Sequence, residues 1–416
     1  MTEKRRTALF FGEGATLSHV VRPAVLASHL DRQVYRPILA CSSPYETLVE
    51  DLDLERVPLE SIDPKVARER LFRGDPLFDV ETLDRYVAQD LELIERVKPD
   101  VVIGDLRLSL AVSARLAGVP LITLVNAHWS PYGESGFELA EHPMIDFLGQ
   151  PLAQTLFQIF KPVGLALQSL PLNVVRTKYG VAGWDADVRH SFTAGDIVLY
   201  PDVPELVPTE GLPDHHSYLG PVPWSPKVDL PDWWTEVDDS QPVIYLNLGS
   251  SGASSRLRSL LDALAELPVQ VMAATAGRRR LLRPPANVFL ADFLPGDRAC
   301  ARASLCICNG GATAAQQSLA AGTPVLGIVS NMDQLLFAKA VHGAGAGEWL
   351  REGEVTASVF QDRVKKLLEE AHYRAAAVRL QQAIEKYDAA ALFRQALDRA
   401  CGVKTAAGST GEGKSG

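Results

Sequence analysis

What this chain is short of narrows its chemistry before any motif is read. It holds only five cysteines in 416 residues: Cys41, Cys300, Cys306, Cys308 and Cys401. They are odd in number and mostly set among apolar neighbours, which argues against a secreted disulfide framework and for a reducing cytoplasm. Cys306 and Cys308 are spaced for one face of a strand, whereas a zinc knuckle needs two intervening residues and further ligands. No run of about 18 uncharged apolar residues occurs, so no transmembrane span is expected. The most apolar region, Met144 to Val175, is interrupted by Gln150, Pro151, Gln154, Lys161, Pro162 and Pro171. A signal peptide is not expected either, because Gly12 and Glu13 cut the apolar run Ala8 to Phe11 short. Basic runs are missing as well: 41 Lys and Arg against 51 Asp and Glu leave a net charge of -10. Polymeric nucleic acid is therefore not expected as a partner.

What is present is a repeated alternation of strand-length apolar runs with helix-length periodic segments, the mark of parallel sheets with crossover helices. Strands are expected at Thr7 to Phe11, Tyr35 to Cys41, Val101 to Gly104, Leu121 to Val125 and Asp196 to Tyr200. Helices are expected at Val20 to Leu30, Leu83 to Val97 and Leu110 to Ala117. From Val203 to Asp239 the character changes to repeated prolines, three tryptophans and acidic residues. The alternation restarts at Pro242 to Gly249, with strands at Val269 to Ala273, Val288 to Ala291, Leu305 to Cys308 and Pro324 to Ile328. The reading is α/β, with two doubly wound, Rossmann-like domains facing across a cleft. Residues 1–222 form the first domain, 223–240 the linker, 241–399 the second domain and 408–416 a disordered tail.

Open parallel sheets bind ligands just beyond the carboxyl ends of their strands, so chemistry is sought there. After the first strand comes Gly12-Glu-Gly14-Ala-Thr-Leu17-Ser-His19. A dinucleotide fingerprint needs a third glycine where Leu17 stands, and an acid after the second strand, which ends Leu39-Ala-Cys41-Ser-Ser-Pro44. What remains is a loop that delivers His19 into the cleft. Asp105, closing another strand, is placed either to orient a catalytic histidine or to cap the following helix. In the second half, Cys308-Asn309-Gly310-Gly311-Ala312-Thr313 runs from a strand into an alanine-rich helix whose first amides suit a diphosphate. A glycine-serine loop, Ser250-Ser251-Gly252, follows the first strand of the same domain. Of two Asp-x-Asp triplets that could hold a metal, Asp51/Asp53 and Asp185/Asp187, neither directly follows a central strand, and Asp51/Asp53 lies in an acidic run that reads better as solvated charge. No Gly-x-Ser-x-Gly elbow surrounds Ser250 and Ser251, which argues against a serine hydrolase.

Taken together, the segment Asn309 to Gln334, the restart Val243-Ile-Tyr-Leu-Asn-Leu-Gly-Ser-Ser-Gly252, the element Asp292-Phe-Leu-Pro-Gly296 and the His19 loop resemble the family 1 inverting nucleotide-sugar glycosyltransferases. The resemblance spans about Thr7 to Arg399. It implies the two-domain B-type fold, with His19 deprotonating the acceptor and Asp105 orienting that histidine. For the donor it implies Phe293 and Leu294 at the base, Gln317 at the ribose, Asn309 to Thr313 at the diphosphate, and Asp333 with Gln334 at the sugar hydroxyls. Four positions depart from the family's pattern. Asn309 stands for a histidine, Gly296 for a ribose-binding Gln, Ala314 for a small hydroxyl residue, and Gln317 for the Glu that commonly holds the ribose.

The expectation is a metal-independent inverting hexosyltransferase with no cofactor. Its co-substrate is a UDP- or dTDP-sugar and its acceptor a small lipophilic molecule, as in bacterial natural-product and macrolide biosynthesis. Acceptor contacts are expected from Asn126, His128, Trp129 and Tyr132, which follow a strand, and from the apolar segment Met144 to Leu172. A core or a homodimer surface would use the same apolar residues. The alternatives are a nucleotide-sugar epimerase of this fold and a non-catalytic sugar-nucleotide or aglycone-binding protein.

Overall fold

Two parallel sheets and the helices that cross between their strands account for most of the chain. The computed structural model describes residues 5–42, 45, 49–133, 136–139, 142–249, 256–277 and 284–402. Ser250, Ser251, Gly252 and the tail 408–416 lie outside the described residues. The first sheet contains β1 (Arg6–Gly12), β2 (Tyr35–Cys41), β3 (Glu55–Pro58), β4 (Val101–Asp105), β5 (Leu121–Leu124), β6 (Ile197–Tyr200) and β7 (His216–Tyr218). Its order is β3-β2-β1-β4-β5-β6-β7. The second contains β8 (Val243–Asn247), β9 (Gln270–Ala274), β10 (Val288–Ala291), β11 (Leu305–Cys308), β12 (Val325–Val329) and β13 (Gly347–Arg351), in the order β10-β9-β8-β11-β12-β13. All these pairings are parallel. Central strands such as β4, β11 and β12 are buried along their whole length, as helices on both faces of a sheet require.

The first-half helices are α1 (Ser18–Ser28), α2 (Pro64–Arg73), α3 (Val80–Val97), α4 (Leu110–Ala117), α5 (Pro143–Leu148), α6 (Gln150–Lys178) and α7 (Val188–Phe192). Those of the second half are α8 (Leu257–Ala265), α9 (Gly296–Arg302), α10 (Ala312–Ala320), α11 (Met332–Gly343), α12 (Ala357–Glu369), α13 (Ala371–Ile384) and α14 (Ala389–Ala400). The last of these departs from the division at 241–399. Helix α14 buries Phe393, Ala396 and Leu397 in the core of the first sheet, with the Phe393 ring 5.7 Å from that of Phe10. The chain thus crosses back to its first domain. A second shared core joins the two halves directly, where Tyr200, Val203 and Val207 pack with Ala315, Leu319, Phe337 and Leu380. Trp233 and Trp234 of the linker stack on the second domain, and Trp233 donates to the Leu290 carbonyl at 2.9 Å.

His216, in edge strand β7, is buried, and its Nδ1 lies 2.7 Å from the Tyr200 hydroxyl. Burial, with His215 beside it, pushes its imidazole down to about 4. The unfolded chain takes up this proton near pH 6.5. Its contribution to stability is therefore complete above about 6.5 and is lost as the pH falls toward 4. Melting temperatures measured across that window should fall in the parent and fall less in His216→Gln.

Candidate active site

The two sheets reverse their strand order at equivalent places, and the conspicuous loops follow those strands. Gly12 of β1 stands opposite Asp105 of β4, and Asn247 of β8 opposite Cys308 of β11. Such switch points are where open sheets hold ligands. Here they border one cavity of about 770 Å³, lined from both domains.

On the first-domain side, α1 begins close against β1. A Cβ at Gly12 would stand 3.0 Å from the Val20 Cα and 3.2 Å from the His19 carbonyl oxygen, so glycine permits the approach. His19 Nδ1 then lies 2.7 Å from Asp105 Oδ1. Asp105 is fully buried, while the His19 side chain is 21% exposed and lines the cavity. The carboxylate accepts the Nδ1 proton, which leaves Nε2 as the basic nitrogen. Asp105 does not cap α4, whose N-cap is Ser109. Leu106, the next residue, takes a left-handed φ of 60°, a conformation costing about 1–2 kcal/mol for a side chain with a Cβ.

Sequence reasoning missed Arg22, one helical turn after His19. Its Nε and Nη2 donate to the two Asp105 oxygens at 2.8 and 2.9 Å, and its Nη1 to Asn126 Oδ1 at 2.6 Å. Asn126 Nδ2 in turn donates to buried Asp202 at 3.0 Å, and Gln316 of α10 donates to the same carboxylate at 2.7 Å. Burial pushes the Asp202 carboxyl up, and His128, the Ala127 N–H, Asn126 and Arg22 draw it back. The signal for Arg22 was present: a cation within an otherwise apolar helix must find a partner when buried. A second buried cation holds the loops. Arg107 donates to Glu13 and Asp90 at 3.0 Å each, with its guanidinium 3.6 Å from the centre of the Tyr86 ring.

On the second-domain side, Gly310 has a φ of +76°, and a Cβ there would come 2.7 Å from Val329 Cγ1. Only glycine fits this turn. Asn309 Oδ1 accepts from the Gly311 N–H at 3.1 Å, and Gly311 caps α10 without a side chain. The first-turn amides of a helix have no intrahelical acceptor, and Gly311, Ala312, Thr313 and Ala314 line the cavity with Asn309. Phe293, half-exposed, and Leu294 also line it. Gln317 donates to the Trp224 carbonyl at 3.0 Å and to Ser225 Oγ at 2.8 Å. A Cβ at Gly296 would overlap the Gln317 carboxamide, so the two departures from the family's pattern occupy one space. Gln334 turns its Oε1 inward to the Ser330 N–H at 2.8 Å.

The expected acceptor residues are brought only partly together. Asn126 and Trp129 line the cavity, whereas Tyr132 packs edge-on against His216 with ring centres 5.4 Å apart. His128 is buried, and its Nε2 lies 2.9 Å from Asp333 Oδ1, which also accepts from Trp129 Nε1 at 2.8 Å. Desolvation works to raise the Asp333 carboxyl, but these two bonds outweigh it and hold it well below the usual carboxylate range. The residue expected at the donor's sugar thus bonds two residues expected at the acceptor. Leu106, Phe137, Leu139, Phe157, Leu165 and Phe192 give the cavity an apolar wall beside them. Of the Asp-x-Asp candidates, Asp185 and Asp187 each pair with an arginine and Asp51 with Lys227.

A family model described as the C-terminal domain of erythromycin biosynthesis protein CIII-like proteins matches residues 258–388. A PGL/p-HBAD biosynthesis glycosyltransferase of Mycobacterium tuberculosis is 46% identical over 380 residues, covering 91% of this chain and 89% of that protein. A PGL/p-HBAD biosynthesis rhamnosyltransferase of Mycobacterium bovis is 43% identical over 383 residues, covering 92% and 85%. An inactive PGL/p-HBAD biosynthesis glycosyltransferase of Mycobacterium bovis is 44% identical over 261 residues, 63% of this chain and 71% of that protein. Among solved structures, the spinosyn forosaminyltransferase SpnP superposes with a TM-score of 0.70 at 18% identity, covering 96% of this chain and 100% of that one. The spinosyn rhamnosyltransferase SpnG complexed with thymidine diphosphate superposes with a TM-score of 0.68 at 19% identity, covering 94% and 99%. At that identity the likeness is one of fold.

Arg22 is the cation that makes buried Asp105 tolerable. Removing one partner of a buried ion pair costs about 3–5 kcal/mol, because the other charge is left uncompensated. Arg22→Met should lower the unfolding free energy by that order in a denaturant titration, and Arg22→Met with Asp105→Leu should recover most of the loss.

Proposed function

The chain belongs to the family of the PGL/p-HBAD biosynthesis glycosyltransferases and has their activity class, and from that membership we propose an inverting transfer from a nucleoside-diphosphate sugar to a hydroxyl of a lipophilic acceptor. The observation that carries the proposal is the His19–Asp105 pair facing the start of α10 across one cavity. In the proposed reaction His19 Nε2 takes the acceptor's hydroxyl proton as that oxygen attacks the anomeric carbon. The bond from that carbon to the diphosphate oxygen breaks, and the nucleoside diphosphate leaves with the electron pair. Asp105 stabilises the imidazolium. The developing negative charge is met by the Asn309 amide and the first amides of α10, donors already aimed where charge appears. No metal is needed in this scheme.

Two relatives bear on the substrates. The rhamnosyltransferase supports a deoxyhexosyl donor, and the thymidine diphosphate held by SpnG supports a dTDP-sugar over a UDP-sugar. The apolar wall supports a lipophilic alcohol or phenol as acceptor. The inactive relative keeps a second reading in play, a chain that binds nucleotide without turnover.

The experiment measures transfer from dTDP- and UDP-sugars to a lipophilic phenol, with the product's anomeric configuration read by NMR. His19→Ala should lose about a hundredfold to ten-thousandfold in turnover, the worth of a general base, while the rise in melting temperature given by dTDP stays parental. A melting shift with dTDP but no transfer by the parent would favour the silent reading. Asn309→Asp keeps the acceptor for the Gly311 N–H but sets an anion at the helix start. It should abolish the dTDP shift, and excess chelator should leave parental turnover unchanged.

A further inference from the structure

Helix α6 carries a surface that the fold does not call for. Its C-terminal part is anchored: Pro171, Leu172, Asn173, Val175 and Arg176 are buried, and Arg176 pairs with Asp185 at 2.8 Å. Its earlier turns bury Ala153 and hold Leu139 and Phe137 through Gln154 and Gln158, but they leave a large apolar surface on the outside. Ile159, Phe160 and Val163 are 64%, 60% and 56% exposed, and Leu152 and Leu167 are about half-exposed. Their spacing gathers them on one side of the helix. Phe147 on α5, 90% exposed, adds to the apolar surface.

From Phe147 to Lys178 the chain contains no Asp or Glu; of its three charged residues, Arg176 pairs with Asp185 and Lys178 with Asp84, and Lys161 is the third. Such a stretch stands out in a protein whose net charge is -10. Helix α2 lies alongside, with Gln168 Nε2 donating to the Gly74 carbonyl at 2.8 Å. It exposes Val66 and Leu71 together with Lys65, Arg68 and Arg73; its own acid is Glu69, with Asp63 and Asp75 exposed at its two ends, and Arg70 is paired with Asp79. Both helices also line the cavity, α2 through Arg68 and Leu71 and α6 through Phe157, Lys161 and Leu165.

We propose that the exposed face of α6, flanked by the basic side of α2, docks on an anionic lipid bilayer, so that a lipophilic acceptor passes from the bilayer into the cavity between these helices. Apolar side chains at the headgroup boundary beside Lys and Arg are the pattern of a helix that lies on a membrane. Among the described residues no helix is long and apolar enough to cross one. A second copy fits less well, since self-pairing of this face would set one basic patch against another. The inference rests on the lipophilic-acceptor reading above.

The test floats the full chain with vesicles of phosphatidylcholine, alone or with about one third phosphatidylglycerol. Binding to the anionic vesicles should exceed binding to the neutral ones by about tenfold at low salt and fade as salt rises. Ile159→Glu with Phe160→Glu should remove about nine tenths of it, and so should Lys65→Glu with Arg73→Glu. Neither pair lines the cavity, so the dTDP melting shift and transfer to a short water-soluble phenol should stay parental. Equal or no binding to the two vesicle types, or parental binding by both variants, would overturn the proposal. So would a parental dimer that the same substitutions turn into monomers. Failure of the transferase reading shows separately, as no transfer to the soluble phenol while vesicle binding persists.

Discussion

A guanidinium taken out of water has to be neutralised where it lies, and Arg22 sets the terms for the groups around it. Its planar fork takes both oxygens of Asp105, which fixes the carboxylate plane and through it the His19 ring. Its Nη1 donates to the Asn126 side-chain oxygen, which turns the Asn126 amide nitrogen toward Asp202. Asp202 is closed from the other domain by Gln316. The orientation of the basic nitrogen and the placement of α10 therefore belong to one buried network. Each member supplies the partner that makes the next one tolerable in a low-dielectric interior.

That network works because the halves of the molecule share more than a linker. Tyr200, Val203 and Val207 pack into the same core as Ala315, Leu319 and Leu380, and α14 returns Phe393 to the first sheet. With those packed faces in place, the two switch points confront each other across the cavity. One polar contact in the cleft differs in kind. Asp333 accepts from His128 and Trp129 of the opposite half. A ligand hydroxyl at Asp333 must share the carboxylate with those N–H groups or displace them. Both N–H groups sit on Oδ1, so occupancy and the contact between domains are linked to the extent that a ligand weakens or strengthens those two bonds.

Much of this was legible in the sequence wherever a local pattern and a topological rule coincide. Strands β2, β10 and β11 and helix α4 have the bounds that alternation and length imply. His19, Asp105 and Asn309 are found together because strand ends are where a parallel sheet exposes its chemistry. What could not be read depends on partners distant in the chain. The edge strand β7 sits inside the proline-rich stretch Val203 to Asp239, where the alternation of strands and helices is lost. Helix α6 keeps its course through Pro162 and Pro171, each of which removes an amide from its ladder. The contacts that hold it, to α3 and to Asp185, are written elsewhere in the sequence. Helix α14 looks like any amphipathic segment, and only the face left open beside Phe10 assigns it to the first sheet. Positions 296 and 317 show most plainly why residue-by-residue comparison stops short. In the resemblance, Gly296 stands where a Gln is usual and Gln317 where a Glu is. In space the missing side chain at 296 makes the room that the Gln317 carboxamide fills, with its donors on Trp224 and Ser225. The two positions are therefore sterically coupled, although they stand 21 positions apart in the chain and no local pattern joins them.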